Sequence, residues 1–445
     1  MMRTGSTPEN PSSAPESRPG LPIASTLGFP PLSLQARMVV LSYLAYFFYY
    51  FSRKHLSVAT ASLADEGFDL KMIGAVNSAY AVCYMFGQFF SGALGDRKGP
   101  RIAIVTGMCL SGIATAAFGF FPITAVLAIG YTLNGLFQST GWPNSCKVVT
   151  AWVSEARRGR VMGFWLTCYI IGSMAATSFA GLVLASYGWR EVFIAAGAVV
   201  IVIGIIQGIF LINRPEDRGY SFGTTPVEAA EKAGSQSGFL KMLSNPAILL
   251  LGFAYCGLKY TRYALFIWLP FYLEKVVGLP KFSSAMTSNA FEVGGVVGLI
   301  GGGFVADRFF SRNRSRLALI ALLGMIAAIF VYRGISHGMA APESIHAVLW
   351  ENVILIGVIG CFLYIADAII SGTAPQDIGG ADNAGSACGI VNGIGSLGQI
   401  LSGIVPVIIS ERYGWNAVFS SFIAVGIVSC VIVLPLAFKP AVGRA

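Results

Sequence analysis

Apolar stretches of about twenty residues recur along nearly the whole chain, and they limit its possible folds more than any motif does. About 20 apolar residues in a helix span the hydrocarbon core of a bilayer. Twelve such segments are read, at about 38–64, 72–95, 102–121, 124–146, 160–185, 190–212, 246–273, 285–306, 317–335, 347–371, 384–409 and 415–437. Their apolarity is continuous and lacks a period of two, so they predict helices rather than a barrel. With 55% hydrophobic and 11% charged residues over a length of 445, the composition excludes a soluble globular domain.

The net charge of +9 does not point to nucleic acid, because the basic residues are sorted by loop. Most of the 30 lysines and arginines fall in the tails and in alternate loops, among them Arg97, Lys98, Arg101, Arg157, Arg308 and Arg316. The opposite loops hold only Lys71, Arg190, Lys275, Lys281, Arg333 and Arg412. The positive-inside rule then predicts a multi-pass protein of the inner (plasma) membrane with both termini cytoplasmic. Residues 1–37 are rich in Pro and Ser and predict a disordered cytoplasmic tail rather than a signal peptide. The eight cysteines are scattered singly inside the spans, without metal spacing. They read as small buried hydrophobes, and neither a metal nor a cofactor is expected.

The chain reads as one unit written twice. The polar interval 213–245 divides it into six spans at 38–212 and six at 246–438, with a short tail at 439–445. Gly92-Ala-Leu-Gly-Asp96-Arg97 after the second span matches Gly303-Phe-Val-Ala-Asp307-Arg308 after the eighth. Tyr187-Gly188-Trp189 matches Tyr413-Gly414-Trp415. Such parallel halves are a known transporter plan. In the two matched loops the glycines Gly92 and Gly303 are expected to let helices approach closely. The aspartates Asp96 and Asp307 are expected to pair with a neighbouring helix end or basic residue. Arg97 and Arg308 would anchor the loop, making a latch that breaks and reforms as the halves rock; a plain positive-inside anchor is the alternative. Gly294, Gly298 and Gly302, and likewise Gly385, Gly389 and Gly393, recur every four residues and predict tightly packed helix faces.

Two arginines, Arg53 and Arg262, lie deep inside spans at matching places. An arginine at mid-bilayer costs about 2.5–3.5 kcal/mol even on a lenient scale, which marks a functional position. Each lies twelve residues before an acidic residue at its helix end, Asp65 or Glu274, or about 18 Å at 1.5 Å per residue. They are therefore expected at one depth, as two cationic jaws around an anion. Guanidinium suits a phosphoryl group because its planar fork bonds bidentately. A static pair of either arginine with Glu292 or Asp367 is the alternative.

With Tyr49-Tyr50-Phe51-Ser52-Arg53-Lys54, Asn134-Gly135-Leu136-Phe137-Gln138, Gly141-Trp142-Pro143 and Phe291-Glu292-Val293-Gly294-Gly295, the chain resembles the organophosphate:phosphate antiporters of the major facilitator superfamily. The resemblance runs from about 38 to 438. It implies an all-α membrane fold of twelve helices in two pseudo-symmetric halves. It also implies exchange of a small organophosphate, such as a sugar phosphate or glycerol phosphate, for inorganic phosphate by alternating access, and phosphate binding by Arg53 and Arg262. The expected partners are these anions and the lipid bilayer, with no nucleic acid, and the expected state is a monomer. There is no nucleophile–base pair or nucleotide loop, so no enzyme is expected.

Other residues follow as cavity candidates. Tyr49 and Tyr50 lie one helical turn from Arg53 and are placed on its face; Lys54 and Lys259 add positive charge to the cavity or pair elsewhere. Relative to the glycerol-3-phosphate transporters, a lysine of the second span is replaced by Gln88, a histidine four residues after Trp165 by Tyr169, and an acid before Trp268 by Ile267. Tyr84, Gln88, Trp165 and Tyr169 thereby become candidates to contact the organic part of the substrate. Glu292 and Asp367 are read as ion-pair switches with Arg53 or Lys54, or as proton carriers. A proton-coupled organic-anion symporter and a membrane sensor of a sugar phosphate are the alternative functions.

Overall fold

The computed structural model describes residues 28–154, 157, 161–162, 164–220, 236–310, 313–335 and 345–438, and every regular element among them is helical. In chain order these are α1 (Leu32–Tyr49), α2 (Phe51–Asp65), α3 (Leu70–Lys98), α4 (Pro100–Phe120), α5 (Thr124–Gln138), α6 (Gly141–Trp152), α7 (Thr167–Ser186) and α8 (Trp189–Phe210). After them come α9 (Gln236–Leu243), α10 (Pro246–Lys275), α11 (Lys281–Phe309), α12 (Arg314–Ile335), α13 (Ile345–Ala368), α14 (Ala374–Tyr413) and α15 (Trp415–Phe438). Eight helical stretches are long and apolar enough to cross a membrane. Their outward residues, such as Ile209, Ile300 and Phe330, are large, apolar and exposed, as suits a lipid-facing surface.

Of the remaining expected spans, the first and fourth are broken helices, the seventh (α10) carries Lys259 and Arg262, and the second is the unbroken α3. The first is split at Tyr50, with Ser52 outside helical geometry (φ −87°, ψ 18°). The fourth is split at Ser139–Thr140. Freed carbonyls at the first break are taken up by amides of α5: Gln138 Nε2 donates to Tyr49 O and Ser52 O (3.2 and 2.8 Å), and Asn134 Nδ2 to Ser52 O (2.7 Å).

Proline explains the contacts at three further carbonyls. A helical proline has no N–H for the carbonyl four residues back and crowds it away. Pro143 thus leaves the Ser139 carbonyl to Ser91 Oγ (3.0 Å). Pro270 leaves the Phe266 carbonyl to Lys54 Nζ (2.9 Å) and Ser57 Oγ (3.1 Å). Pro406 leaves the Ser402 carbonyl to Trp268 Nε1 (3.2 Å). Each freed acceptor is satisfied by a different helix, so the breaks become joints.

Several boundaries differ from expectation. Helix α1 begins at Leu32, inside the segment read as disordered tail, because Pro31 pre-sets the entry and an apolar run follows. The interval 213–245 contains a 3-10 turn at Pro215–Arg218 and the helix α9. Residues 1–27, 221–235 and 439–445 lie outside the described residues. Helical geometry runs on across Ala374–Tyr413, yet Cys388 Sγ lies 3.5 Å from the Gly372 carbonyl. A straight helix would part those residues by about 24 Å, so the chain reverses between them.

The described contacts between residues 28–220 and 236–438 lie from the middle of the bundle to one end, the end away from the chain termini. Gly74 of α3 meets Gly403 of α14 so closely that a Cβ would stand 2.8 Å from the Gly403 carbonyl. Ser78 Oγ donates to Ile400 O (2.6 Å) beside it. Asn289 Nδ2 of α11 donates to Ser178 Oγ of α7 (3.0 Å). At the rim, Lys275 pairs with Asp65 (2.6 Å) and Lys71 with Glu411 (2.5 Å). Glu411 holds the Lys71 ammonium above the ordinary lysine range. Toward the other end, a Cβ at Gly389 or Gly393 would meet open space.

The glycine expectations divide accordingly. Gly294, Gly298 and Gly302 of α11 press against Gly357, Cys361 and Ile365 of α13, as a tight face requires. Gly389 and Gly393 do not pack: a Cβ at either would have no neighbour within 4 Å. Gly385 and Gly92 are helical, but their surroundings, like the side chains of Asp96 and Asp307, lie outside what the structure describes. Gly303 faces open space and Arg97 and Arg308 are exposed, so Gly303 does not bring two helices together. The glycine carried by the matching loop sequence is not sitting at a helix crossing here.

Candidate functional site

Arg53 and Arg262 border one narrow cavity, which is also lined by Tyr50, Tyr169, Tyr263, Phe266, Glu292 and Tyr364. Arg53 also borders a second space. Tyr80, Tyr84, Tyr131, Asn77 and Gln399 line that space toward the closed end, and Tyr263 and Phe266 lie between the two.

The two guanidinium groups are held differently. Arg53 is 8% exposed. Its Nε donates to Gln138 Oε1 (2.8 Å), which also accepts from Tyr80 OH (3.0 Å). Its carbon Cζ lies 4.7 Å from the Tyr50 ring and 5.1 Å from the Tyr84 ring. Its Nη2 is buried and has no hydrogen-bond partner. Arg262 Nη1 contacts both oxygens of Asp367 at 3.2 Å, and its Nη2 donates to Tyr364 OH (3.3 Å). Tyr255 OH donates to Asp367 Oδ1 (2.9 Å). Tyr364 OH donates in turn to Glu292 Oε2, and Ser173 Oγ of α7 donates to Glu292 Oε1 (3.1 Å).

This geometry corrects several expectations. Asp367 pairs with Arg262, the arginine–carboxylate pair given as the alternative, and not with Arg53 or Lys54. Glu292 is held by two hydroxyls, Tyr364 and Ser173, because α11 faces α13 and α7 at that level. Tyr49 does not share the face of Arg53: the break at Tyr50 ends the helical register, and Tyr49 OH is bonded to Thr140 Oγ1 (2.8 Å) and Ile104 O (3.2 Å). Trp165 is fully buried, donates to Ser42 Oγ (3.1 Å) and packs against Tyr46 and Trp142, so it supports α1 rather than meeting the cavity. Gln88 is partly exposed and borders neither cavity.

Tyr50, Tyr84 and Tyr169 do lie at the arginines; the Tyr169 ring is 5.9 Å from Arg262 Cζ. The lysines pair elsewhere. Lys54 Nζ caps the Phe266 carbonyl 3.5 Å from that residue's ring, and Lys259 Nζ donates to Asn392 Oδ1 (2.8 Å) and Ser396 Oγ (3.3 Å). His55 turns away from Arg53, between Tyr131 and Phe193.

Sequence reasoning missed Gln138 as a partner of Arg53, and Tyr80, Tyr131, Tyr255, Tyr263 and Tyr364 as ring or hydroxyl groups around the arginines. A signal existed for some of them. Tyr80 and Tyr84 stand one turn apart, as do Tyr364 and the intramembrane acid Asp367. Among the described residues there is no group of three or more metal-ligating side chains.

Comparison with known proteins places this arrangement. The chain is 28% identical to the putative glycerol-3-phosphate transporter 5 of Arabidopsis thaliana, over 86% of this chain and 87% of that protein. It is 27% identical to the probable hexose phosphate transport protein of Chlamydia pneumoniae, over 88% and 89%. It is also 27% identical to the glucose-6-phosphate exchanger SLC37A2 of Danio rerio, over 83% and 80%. A solved bacterial homolog of the human lysosomal transporter Spinster, inward-facing and unoccupied, shares the fold with a TM-score of 0.69 at 17% identity, covering 92% of this chain and 96% of that one. Residues 42–402 match the Major Facilitator Superfamily; the protein belongs to that superfamily of transporters.

Proposed function

We propose that the chain is a twelve-span antiporter that exchanges a small organophosphate for inorganic phosphate across an inner or plasma membrane. The observation that carries the reading is a cavity bordered by arginines from both parts of the chain, one of which keeps a buried, unpartnered Nη2. A buried cation without a counter-ion is costly unless a guest anion completes it. The names of the relatives, all phosphorylated metabolites, support phosphate as that guest. With both termini cytoplasmic, the closed end faces outward and the gap opens to the cytoplasm.

In this scheme the phosphoryl group enters from the open end and takes bidentate bonds from Arg53 and Arg262. Three buried basic residues, Arg53, Lys54 and Lys259, and the half-buried Arg262 stand against two buried acids, Glu292 and Asp367. The excess of two positive charges draws an anion in. A bound phosphoryl group ties α2 to α10 and lowers the cost of bringing the two parts together at the open end. Without it Arg53 is uncompensated, which disfavours empty closure and makes exchange the favoured cycle.

The test is exchange in proteoliposomes loaded with phosphate. Labelled external phosphate is expected to exchange, and to be competed by glycerol-3-phosphate or glucose-6-phosphate but not by a non-phosphorylated hexonate. Uptake driven by a pH gradient with no internal phosphate would overturn antiport in favour of proton symport. Arg262→Lys is expected to lose most exchange while staying folded.

A further inference from the structure

Asp367 is not needed to bind a phosphoryl group, yet it occupies one of the two groups that would do so. Both of its carboxylate oxygens are 3.2 Å from Arg262 Nη1, and Tyr255 OH holds Oδ1 at 2.9 Å. No carboxylate is among the described partners of Arg53 at the matching place, and its Nη2 has no partner at all. An arriving anion therefore meets one open arginine and one that already holds an anion.

A carboxylate and a phosphoryl group offer the same fork of oxygens to a guanidinium. While both Asp367 oxygens stay on Arg262 Nη1, its two N–H groups are taken and none is left for a second anion, and two anions on one half-buried guanidinium repel each other. We propose that Asp367 is a resident competitor for the substrate anion: the phosphoryl group engages Arg53 first, then displaces Asp367 from Arg262. Asp367 thereby sets the affinity of the site, keeping binding weak enough for release. The inference rests on the phosphate reading above and deepens it.

Two features let the carboxylate leave. A turn of π-helix at Ile369–Thr373 begins two residues after it, and such turns break the helical register locally. Lys259 offers a second cation nearby, its Nζ lying 5.1 Å from the ring of the same Tyr255 that holds Asp367. The site tolerates an arginine with only neutral partners, as Arg53 shows, so neutralising Asp367 leaves a state with a precedent in the same cavity.

The experiment is titration of the purified full-length chain with inorganic phosphate by calorimetry, in the natural sequence and in Asp367→Asn and Tyr255→Phe. Asn keeps the acceptor for Tyr255 and removes the charge. Asp367→Asn is expected to tighten phosphate binding by at least about fivefold, the low end of typical coupling between groups on one protein. Tyr255→Phe frees the carboxylate from one tether and is expected to shift affinity in the same direction by less. Unchanged or weaker phosphate binding in a folded Asp367→Asn protein overturns the proposal and makes Asp367 a strut. Should that variant fail to fold, Tyr255→Phe decides, with tighter binding supporting the proposal and unchanged or weaker binding overturning it. If the unaltered chain binds no phosphate, the transport reading fails and this proposal falls with it, which is visible before any variant is compared.

Discussion

Arg53 and Arg262 occupy matching places in the sequence and border one cavity, but their surroundings differ in kind. Arg53 is held by an amide oxygen and two aromatic faces, all neutral. Arg262 is held by a carboxylate and a phenol. Equal spacing from the helix ends set their common depth. The groups that face them come from helices distant in sequence and differ on the two sides. A guanidinium with neutral partners keeps its full charge for a guest, whereas one already paired is nearly neutral until the pair opens. On the proposed reading, two jaws of the same residue type have distinct tasks: Arg53 attracts the anion, and Arg262 exchanges one anion for another.

The largest test of this contrast is the removal of each arginine. Arg262→Ala leaves Asp367 buried with no guanidinium opposite it, and breaking a buried pair on one side costs about 3–5 kcal/mol. Arg53→Ala removes an uncompensated charge and strands no carboxylate, so it is expected to abolish phosphate binding with little loss of stability. Thermal unfolding of the purified variants measures both. The double variant Arg262→Ala with Asp367→Asn is expected to recover stability but not transport. Equal destabilisation by the two single alanine variants would erase the distinction.

A second test concerns how the open arginine is kept in place. Gln138 is the joint of that side: its Oε1 accepts from Arg53 Nε and Tyr80 OH, and its Nε2 closes the carbonyls freed at the Tyr50 break. Gln138→Leu leaves the Arg53 Nε without its acceptor, at about 1–3 kcal/mol. Phosphate affinity measured by titration is expected to fall by roughly tenfold or more, while Asp367→Asn keeps its effect at Arg262. Unchanged affinity in Gln138→Leu would show that the rings alone position Arg53.

The same contrast marks how far the sequence could be read. Runs of apolar residues foretold the helices because hydrocarbon imposes a length and an internal hydrogen-bond pattern. The expected segments that were least cleanly apolar proved to be those around the cavity, where Arg53, Tyr84, Gln138 and Arg262 interrupt the pattern. The Pro270 and Pro406 breaks were implicit in residue type, but which donor fills each freed carbonyl was not. Helical spacing placed Tyr49 beside Arg53, and the break at Tyr50 undid it. Trp165 was legible as a large aromatic residue but not as a buried one. Asp367 was legible as an intramembrane acid and its pairing with an arginine as an alternative, but the choice of Arg262 over Arg53 or Lys54 was not, since spacing within one helix does not say which neighbour that helix faces.

The smallest test lies in two tyrosines at nearly equal distance from the two arginines. The Tyr50 ring stands 4.7 Å from Arg53 Cζ and the Tyr364 ring 4.5 Å from Arg262 Cζ. Tyr→Phe keeps the ring, and with it the cation–π attraction, at both sites. At Tyr364 it also removes the hydroxyl that accepts from Arg262 Nη2 and donates to Glu292. Tyr364→Phe is therefore expected to change phosphate affinity by about 0.5–1.5 kcal/mol, roughly two- to tenfold. Tyr50→Phe is expected to change it by less. A loss at Tyr50→Phe as large as that at Tyr364→Phe would show that the Tyr50 hydroxyl itself reaches the bound anion. The neutral side of the cavity would then be a donor set, and the contrast between the arginines would narrow to the carboxylate alone.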